Sequence, residues 1–71
     1  MATNYLSYKI DGTKLVAVMV KKKMNAKQLA EVSGVSRQTI SSMRSGNRCA
    51  VDALIKIAEA LGVAPKELLE D

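Results

Sequence analysis

The chain has 71 residues and a formal net charge of +4, and it contains two aromatic residues, one cysteine and no histidine. This length suits one small domain, whose core must be aliphatic because aromatic side chains are so few. A single cysteine excludes an internal disulfide, and the lack of histidine excludes a Cys/His zinc site. The longest apolar run, residues 15–20, is too short to span a bilayer or to form a signal-peptide core. We therefore expect a cytoplasmic protein without a membrane segment, a metal or a cofactor.

Charge is distributed unevenly along the sequence. Residues 1–48 carry nine basic and two acidic side chains, a net charge of +7. Residues 49–71 carry two basic and five acidic side chains, a net charge of −3. A basic front and an acidic tail suit a domain that offers one face to a polyanion, although a lysine-rich surface that serves only solubility is the alternative.

The first twelve residues show no helical periodicity, and we interpret them as an N-terminal arm. Residues 5–10 alternate loosely between apolar and polar, which favours a short extended segment before a turn at residues 11–12. In that conformation Leu6, Tyr8 and Ile10 share one face. This face either covers the core of the domain itself or forms a dimer contact, and the sequence leaves both possibilities open.

Five helices are predicted over residues 13–71, which we interpret as one all-α domain. Hydrophobic residues recur at helical spacing, and a Ser, Thr or Asn stands before each of the first three helices as an N-cap. Gly46 and Gly62 follow the third and fourth helices, and residues 47–49 form the loop between these two. The N-caps are Thr13, Asn25 and Ser36, and the helices run from about Lys14 to Lys23, Ala26 to Ser33, Ser36 or Arg37 to Ser45, Val51 to Leu61 and Pro65 to Glu70.

The most informative stretch is residues 26–43, AKQLAEVSGVSRQTISSM, which predicts two short helices joined by a tight turn. Gly34 stands where a left-handed backbone is expected, and Ser36 can cap the helix that follows. Ile40 and Met43 share one face of this second helix and leave its polar side chains to point elsewhere. The pattern is that of a helix-turn-helix, in which the second helix enters the major groove of DNA.

Three sequence blocks, in this order, extend the pattern over most of the chain. They are QLAEVSGVS, then RQTISSMRSGNR, then ALIKIAEALGV followed by ELL. With these blocks the sequence resembles the phage Cro/repressor-type helix-turn-helix domains, the XRE family, over about residues 15–69. The resemblance implies a compact five-helix, lambda-repressor-like domain in which helices 2 and 3 form the helix-turn-helix. It also implies sequence-specific binding to double-stranded DNA.

Base reading is expected from the third predicted helix, the recognition helix, which is the second helix of the helix-turn-helix. Arg37 can donate two hydrogen bonds to guanine, and Gln38 can pair with the donor and acceptor edge of adenine. Ser42 lies one turn beyond Gln38 on the same face, with Ser41 beside it. The resemblance implies base reading by Arg37, Gln38 and Ser42, whose matching positions are the usual base readers of the family. For the two serines, contact with only a phosphate or a water is the alternative.

Phosphate contacts would set the register on DNA and supply most of the salt-dependent affinity. In this family the helix starts and the loop after the recognition helix flank the duplex. The free N–H groups at the start of the second helix can also hold a phosphate. The resemblance thus implies phosphate contacts by Asn25, Lys27, Thr39, Asn47 and Arg48.

Two features depart from the family pattern. Ala26 stands where a Gln usually opens the second helix, contacts phosphate and braces the first base reader. Met19 and Arg44 stand where many members pair an Arg with a Glu. Loss of both partners of a buried ion pair can be neutral, and it leaves Arg44 to face either solvent or the DNA backbone.

We therefore expect a small Cro/repressor-like transcriptional regulator that acts by occupying an operator. One domain reads few base pairs, so a homodimer on DNA is expected, formed through the last two helices, the arm or both. Because no second domain is evident, we expect no small-molecule ligand. Cys49 has no histidine to activate it, so we expect no catalytic residue and no enzyme. The alternatives are an antitoxin-like protein-interaction module and a non-specific architectural DNA binder. The candidate dimer contacts are Ile55, Val63 and Leu69.

Overall fold

Helices dominate the architecture, which a computed structural model describes for residues 7–70. Over this range the chain forms four α-helices, two short strands and one 3-10 helix. The predicted helical domain is therefore present, but it also contains a small sheet. The elements are β1 Ser7–Lys9, α1 Gly12–Lys21, α2 Ala26–Ser33, α3 Arg37–Arg44, β2 Arg48–Ala50, α4 Val51–Leu61 and the 3-10 helix Pro65–Leu68.

The first helix begins earlier than its sequence pattern indicates. Asp11 Oδ1 accepts hydrogen bonds from the backbone N–H groups of Thr13 and Lys14, at 3.0 and 3.1 Å. Asp11 is therefore the N-cap, and the prediction of Thr13 was wrong. Gly12 is the first residue of α1 and lies so close to α3 that an added Cβ would collide with the carbonyl group of Arg44. The lack of a side chain at Gly12 permits this close contact between α1 and α3.

The caps of α2 and α3 confirm the predicted start of both helices. Asn25 Oδ1 accepts from the Gln28 N–H at 2.8 Å, and Gln28 Oε1 accepts from the Asn25 N–H at 2.9 Å, which is a reciprocal capping box. Gly34 ends α2 in the left-handed conformation, with φ of 78°. Ser36 Oγ accepts from the Thr39 N–H at 3.1 Å and begins α3. The predicted bounds of α2 are confirmed, and α3 ends one residue before its predicted end.

The N-terminal segment and the segment before α4 form a two-stranded antiparallel sheet, which the all-α prediction did not include. Tyr8 pairs with Cys49 at the centre of this register. The predicted loop at residues 47–49 is therefore partly strand. Each strand has three residues and finds its partner about forty positions away, so a local periodicity could not indicate the pairing.

The predicted fifth α-helix is a 3-10 helix, Pro65–Leu68, and the five-helix prediction was wrong in this respect. Leu69 is already extended and forms an isolated antiparallel bridge with Ile10. The Asp11 N–H donates to the Leu68 carbonyl oxygen at 2.9 Å. Pairing with the N-terminal segment thus replaces a further helical turn.

The core is aliphatic, as predicted, and no polar or charged side chain is buried among residues 7–70. Ile10 is fully buried, so residues 7–10 cover the core of their own domain, whereas Leu6 lies outside the described residues. Within the same range, no helix combines the length and apolar character that crossing a membrane requires. The buried hydrophobic side chains are Ile10, Leu15, Met19, Leu29, Val35, Ile40, Met43, Cys49, Leu54, Ile57, Ala58, Leu61 and Leu68.

Candidate nucleic-acid interface

Helix α3 separates its apolar and polar side chains cleanly. Ile40 and Met43 are buried against the core. Positions 37, 38, 41 and 42 fall within an arc of about 140° around the helix, at 100° per residue. The structure therefore brings the four predicted base-reading residues onto one accessible side of α3. Of these residues, Arg37, Gln38 and Ser41 are exposed and Ser42 is half-buried.

The end of α3 is closed by a Schellman motif, which has Gly46 in the left-handed conformation with φ of 85°. The Gly46 N–H donates to the Met43 carbonyl at 2.9 Å, and the Asn47 N–H donates to the Ser42 carbonyl at 3.1 Å. Asn47 also donates through Nδ2 to Ser42 Oγ at 3.1 Å. The motif thus places a predicted phosphate contact, Asn47, directly beside a predicted base reader, Ser42.

The start of α3 orients a second hydroxyl group. Ser36 Oγ donates to Thr39 Oγ1 at 2.9 Å while it accepts from the Thr39 backbone N–H. Because Thr39 Oγ1 acts as acceptor in this pair, its own proton remains to be donated elsewhere. A phosphate oxygen only accepts hydrogen bonds, so this arrangement suits the phosphate contact predicted for Thr39.

Two further predicted phosphate contacts lie at the start of α2. The capping box uses Oδ1 of Asn25, and Nδ2 of the same amide is a hydrogen-bond donor. Lys27 is exposed in the first turn of α2, where its ammonium group adds positive charge to the helix N-terminus. Both residues have the donors that a phosphate requires.

Arg48, the last of the predicted phosphate contacts, is tied to the N-terminal strand. Its Nη1 donates to the Ser7 carbonyl oxygen at 3.2 Å, and the side chain is exposed. A guanidinium group has five N–H donors, so this bond leaves Arg48 able to bind phosphate. Lys9 of the same strand donates through Nζ to the Gly46 carbonyl at 2.7 Å. Sequence reasoning missed these ties, since they join segments about forty residues apart.

An open groove of about 510 Å³ lies between α3 and the β2–α4 segment. Cys49 lines this groove but is only 8% exposed, and its burial raises the pKa of the thiol. A raised pKa disfavours the reactive thiolate, and Cys49 packs within the hydrophobic core. Other residues of the groove are Gln38, Thr39, Ser42, Met43, Arg48, Ala50 and Ala53.

Met19 and Arg44, which stand where many members pair an Arg with a Glu, have different structural surroundings. Met19 is 5% exposed and fills a core position, so an apolar contact stands where many relatives have a charge. Arg44 is exposed and lies beside Val16 and Ala17 of α1, with which it lines a shallow depression. Arg44 is therefore accessible.

The capped α2, the left-handed turn and the polar α3 together define a helix-turn-helix module of the DNA-binding class. The sequence model of the Cro/C1-type HTH DNA-binding domain matches residues 14–71. The chain belongs to this family, and the resemblance noted from its three sequence blocks is confirmed.

Individual relatives match this module within proteins of different length. The chain is 40% identical over 54 residues to the HTH-type transcriptional regulator PrtR of Pseudomonas aeruginosa, a match that covers 76% of this chain and 21% of PrtR. The restriction-modification controller protein C.AhdI of Aeromonas hydrophila is 29% identical, with a TM-score of 0.74. That match covers 82% of this chain and 89% of C.AhdI.

An enzyme also contains a similar fold. A hydroxyethylphosphonate dioxygenase variant matches 89% of this chain at 30% identity, with a TM-score of 0.78, but only 14% of the dioxygenase is covered. The chain thus spans a small part of the dioxygenase, as it does of PrtR. Among residues 7–70, no group of three His, Cys, Asp or Glu side chains is placed to hold a metal ion.

Proposed function

We propose that the protein is a transcriptional regulator that binds double-stranded DNA in a sequence-specific manner. The observation that carries this proposal is the geometry of α3, which has Arg37 and Gln38 exposed at its start and Ile40 and Met43 anchored in the core. The names of PrtR and C.AhdI, a transcriptional regulator and a controller protein, support a regulatory role. The mechanism proposed is occupancy, in which the bound domain excludes polymerase from a promoter.

The same proposal includes a homodimer that reads two half-sites. Ile55 on α4 is 42% exposed and is the strongest of the candidate contacts. Val63 and Leu69 are partly buried and pack against the core of their own domain, which supports a mainly structural role for both. The proposed location is the cytoplasm, where bacterial DNA lies. A regulator of this kind needs no cofactor, small-molecule ligand or catalytic residue.

One observation favours a protein-interaction module as the second candidate. Val16 and Val20 of α1 are 37% and 71% exposed, and Val32 of α2 is 60% exposed, so α1 and α2 present apolar side chains to solvent. Such a module would keep its partner after charge reversal of Arg37, whereas a regulator would lose specific DNA binding.

Selection of bound duplexes from a random DNA library tests the proposal. The selection is run at about 150 mM salt, where non-specific binding is weakened. An enriched palindrome would support a dimeric regulator, and a single enriched half-site would support a monomeric one. Retention at low salt without any enrichment would indicate an architectural binder. No retention at any salt would contradict DNA binding and direct the search to a protein partner.

A further inference from the structure

We propose that Asn47 is a positioning residue that turns the proton of the Ser42 hydroxyl toward the DNA bases. This inference rests on the proposed function, because it concerns how α3 reads a sequence. Asn47 contacts Ser42 twice, through its backbone N–H to the Ser42 carbonyl and through Nδ2 to Ser42 Oγ, both at 3.1 Å. The backbone hydrogen bond therefore holds Asn47 in the position from which its side chain contacts Ser42.

The backbone geometry has two supports. Gly46 adopts φ of 85°, a left-handed conformation in which a residue with a side chain would be strained. This conformation turns the chain back over the last turn of α3. Lys9 Nζ donates to the Gly46 carbonyl oxygen at 2.7 Å and so ties the turn to β1. These contacts place the Asn47 amide over Ser42 before any DNA is bound.

The polarity of the pair follows from the chemistry of an amide. Nδ2 of Asn47 can only donate, so Ser42 Oγ accepts through one of its two lone pairs, and its own proton turns away from Asn47 and is left to donate to a further partner. Asn47 is the single side chain among residues 7–70 that is hydrogen-bonded to Ser42 Oγ. The second N–H of Nδ2 remains for a phosphate oxygen, so the predicted phosphate contact of Asn47 is compatible with this role.

A hydroxyl whose proton is turned toward the groove favours acceptor atoms of the bases, whereas a free hydroxyl donates or accepts equally well. In the major groove guanine O6 is an acceptor at the place where adenine N6 is a donor. Thymine O4 and cytosine N4 differ in the same way. Ser42 oriented by Asn47 therefore favours guanine over adenine, or thymine over cytosine, at the base that it faces.

The experiment reverses the polarity of the pair. In N47D the carboxylate accepts from the Ser42 hydroxyl, so Ser42 Oγ presents lone pairs to the DNA. We expect N47D to shift the preference at the base faced by Ser42 from guanine to adenine, or from thymine to cytosine, by roughly threefold to tenfold. N47A frees the hydroxyl and should flatten the preference at that base. Selection from a random duplex library measures each preference as an enrichment ratio.

Two controls separate orientation from charge and from folding. Q28E adds the same negative charge at an exposed residue with no predicted DNA contact, and its carboxylate still accepts from the Asn25 N–H, so the preference should stay as in the wild type. S42A removes the group that Asn47 orients, and N47D added to S42A should cause no further shift in base preference. Thermal unfolding of each variant checks that the fold is retained.

The outcomes distinguish this inference from the proposed function. If the wild type enriches no sequence, the proposed function fails and the inference fails with it. If the wild type enriches a site but N47D leaves every base preference unchanged, the inference is overturned and the regulator remains. An S42A variant with wild-type preferences at all positions would overturn it equally.

Discussion

Arg37 and Arg44 stand at opposite ends of α3, and both are exposed. They carry the same charge, but only Arg37 lies at the end of the helix where base edges are expected. Arg44 instead lies beside α1. Substitutions of these two arginines can therefore distinguish base-specific contacts from general electrostatic attraction to DNA.

Replacement of Arg37 by Ala should weaken binding to the selected operator by about 1–3 kcal/mol and relax the preference at one base pair. The physical reason is the loss of two hydrogen bonds to a guanine edge. R44A is the matched control and should affect operator and scrambled duplexes alike. Titrations against both duplexes at one salt concentration measure the difference, and an equal loss of specificity in R44A would contradict the assignment.

The elements are held together by contacts that their own sequences do not reveal. The close approach of α1 and α3 at Gly12, and the pairing of the N-terminal strand with β2 and with Leu69, both join distant segments. The first contact sets how closely α1 approaches α3, and the second ties the N-terminal segment to the rest of the domain. Each contact can be tested by one substitution.

Replacement of Gly12 by Ala should lower the free energy of unfolding by about 1–3 kcal/mol, because the new methyl group collides with the backbone of Arg44. The sign is informative, since the same change at an open helix position would stabilise the helix by up to about 1 kcal/mol. T13A, at the exposed next position, should change stability by less than about 0.5 kcal/mol. Urea unfolding of the three proteins measures both effects.

Replacement of Ile10 by Ala should lower the free energy of unfolding by about 2–5 kcal/mol, since this fully buried side chain links the N-terminal segment to the core. I55A makes the same change at a residue that is 42% exposed and should cost much less. The comparison is made by urea unfolding at low protein concentration. A loss of stability in I10A as small as the loss expected for I55A would show that residues 7–10 contribute little to the domain.

At the scale of the whole molecule, basic and acidic residues are separated along the chain, and the residues proposed to bind DNA lie in the basic half. The basic residues 1–48 contain β1, α1 and the helix-turn-helix, whereas the acidic residues 49–71 contain α4 and the 3-10 helix. A polyanion should therefore approach the basic half of the molecule, and the proposed contacts of the helix-turn-helix place it on the side of α2 and α3. Affinity should then depend on salt through the lysines and arginines of that side alone.

Replacement of Lys27 by Ala should reduce the magnitude of the salt slope, d log K/d log[salt], by about one, because one phosphate contact is lost. K56A is the control, since Lys56 on α4 pairs with Asp52 at 3.2 Å in the acidic half of the chain. Its slope should match the wild type. Both slopes are obtained from affinities measured over a series of salt concentrations. An equal change of slope in both variants would contradict DNA binding on the side of α2 and α3.

The sequence alone determined the helix-turn-helix. Caps act over three residues and helical periodicity over four, so Asn25, Gly34 and Ser36 could be assigned from their neighbours. The same local rules predicted that Arg37 and Gln38 would share an accessible face, although their roles on DNA remain predictions. The Asn47–Ser42 contact is also local, and the Gly46-Asn47 pair after a helix was a signal that could have indicated it.

Only the tertiary structure decided the sheet, the 3-10 helix and the role of Gly12. The partners of Tyr8, Ile10 and Gly12 lie about thirty to sixty residues away in sequence, at Cys49, Leu69 and Arg44. Whether a three-residue segment is a strand depends on a partner strand rather than on its own periodicity. A glycine at a close contact likewise cannot be told from a turn glycine until the neighbouring backbone is in place.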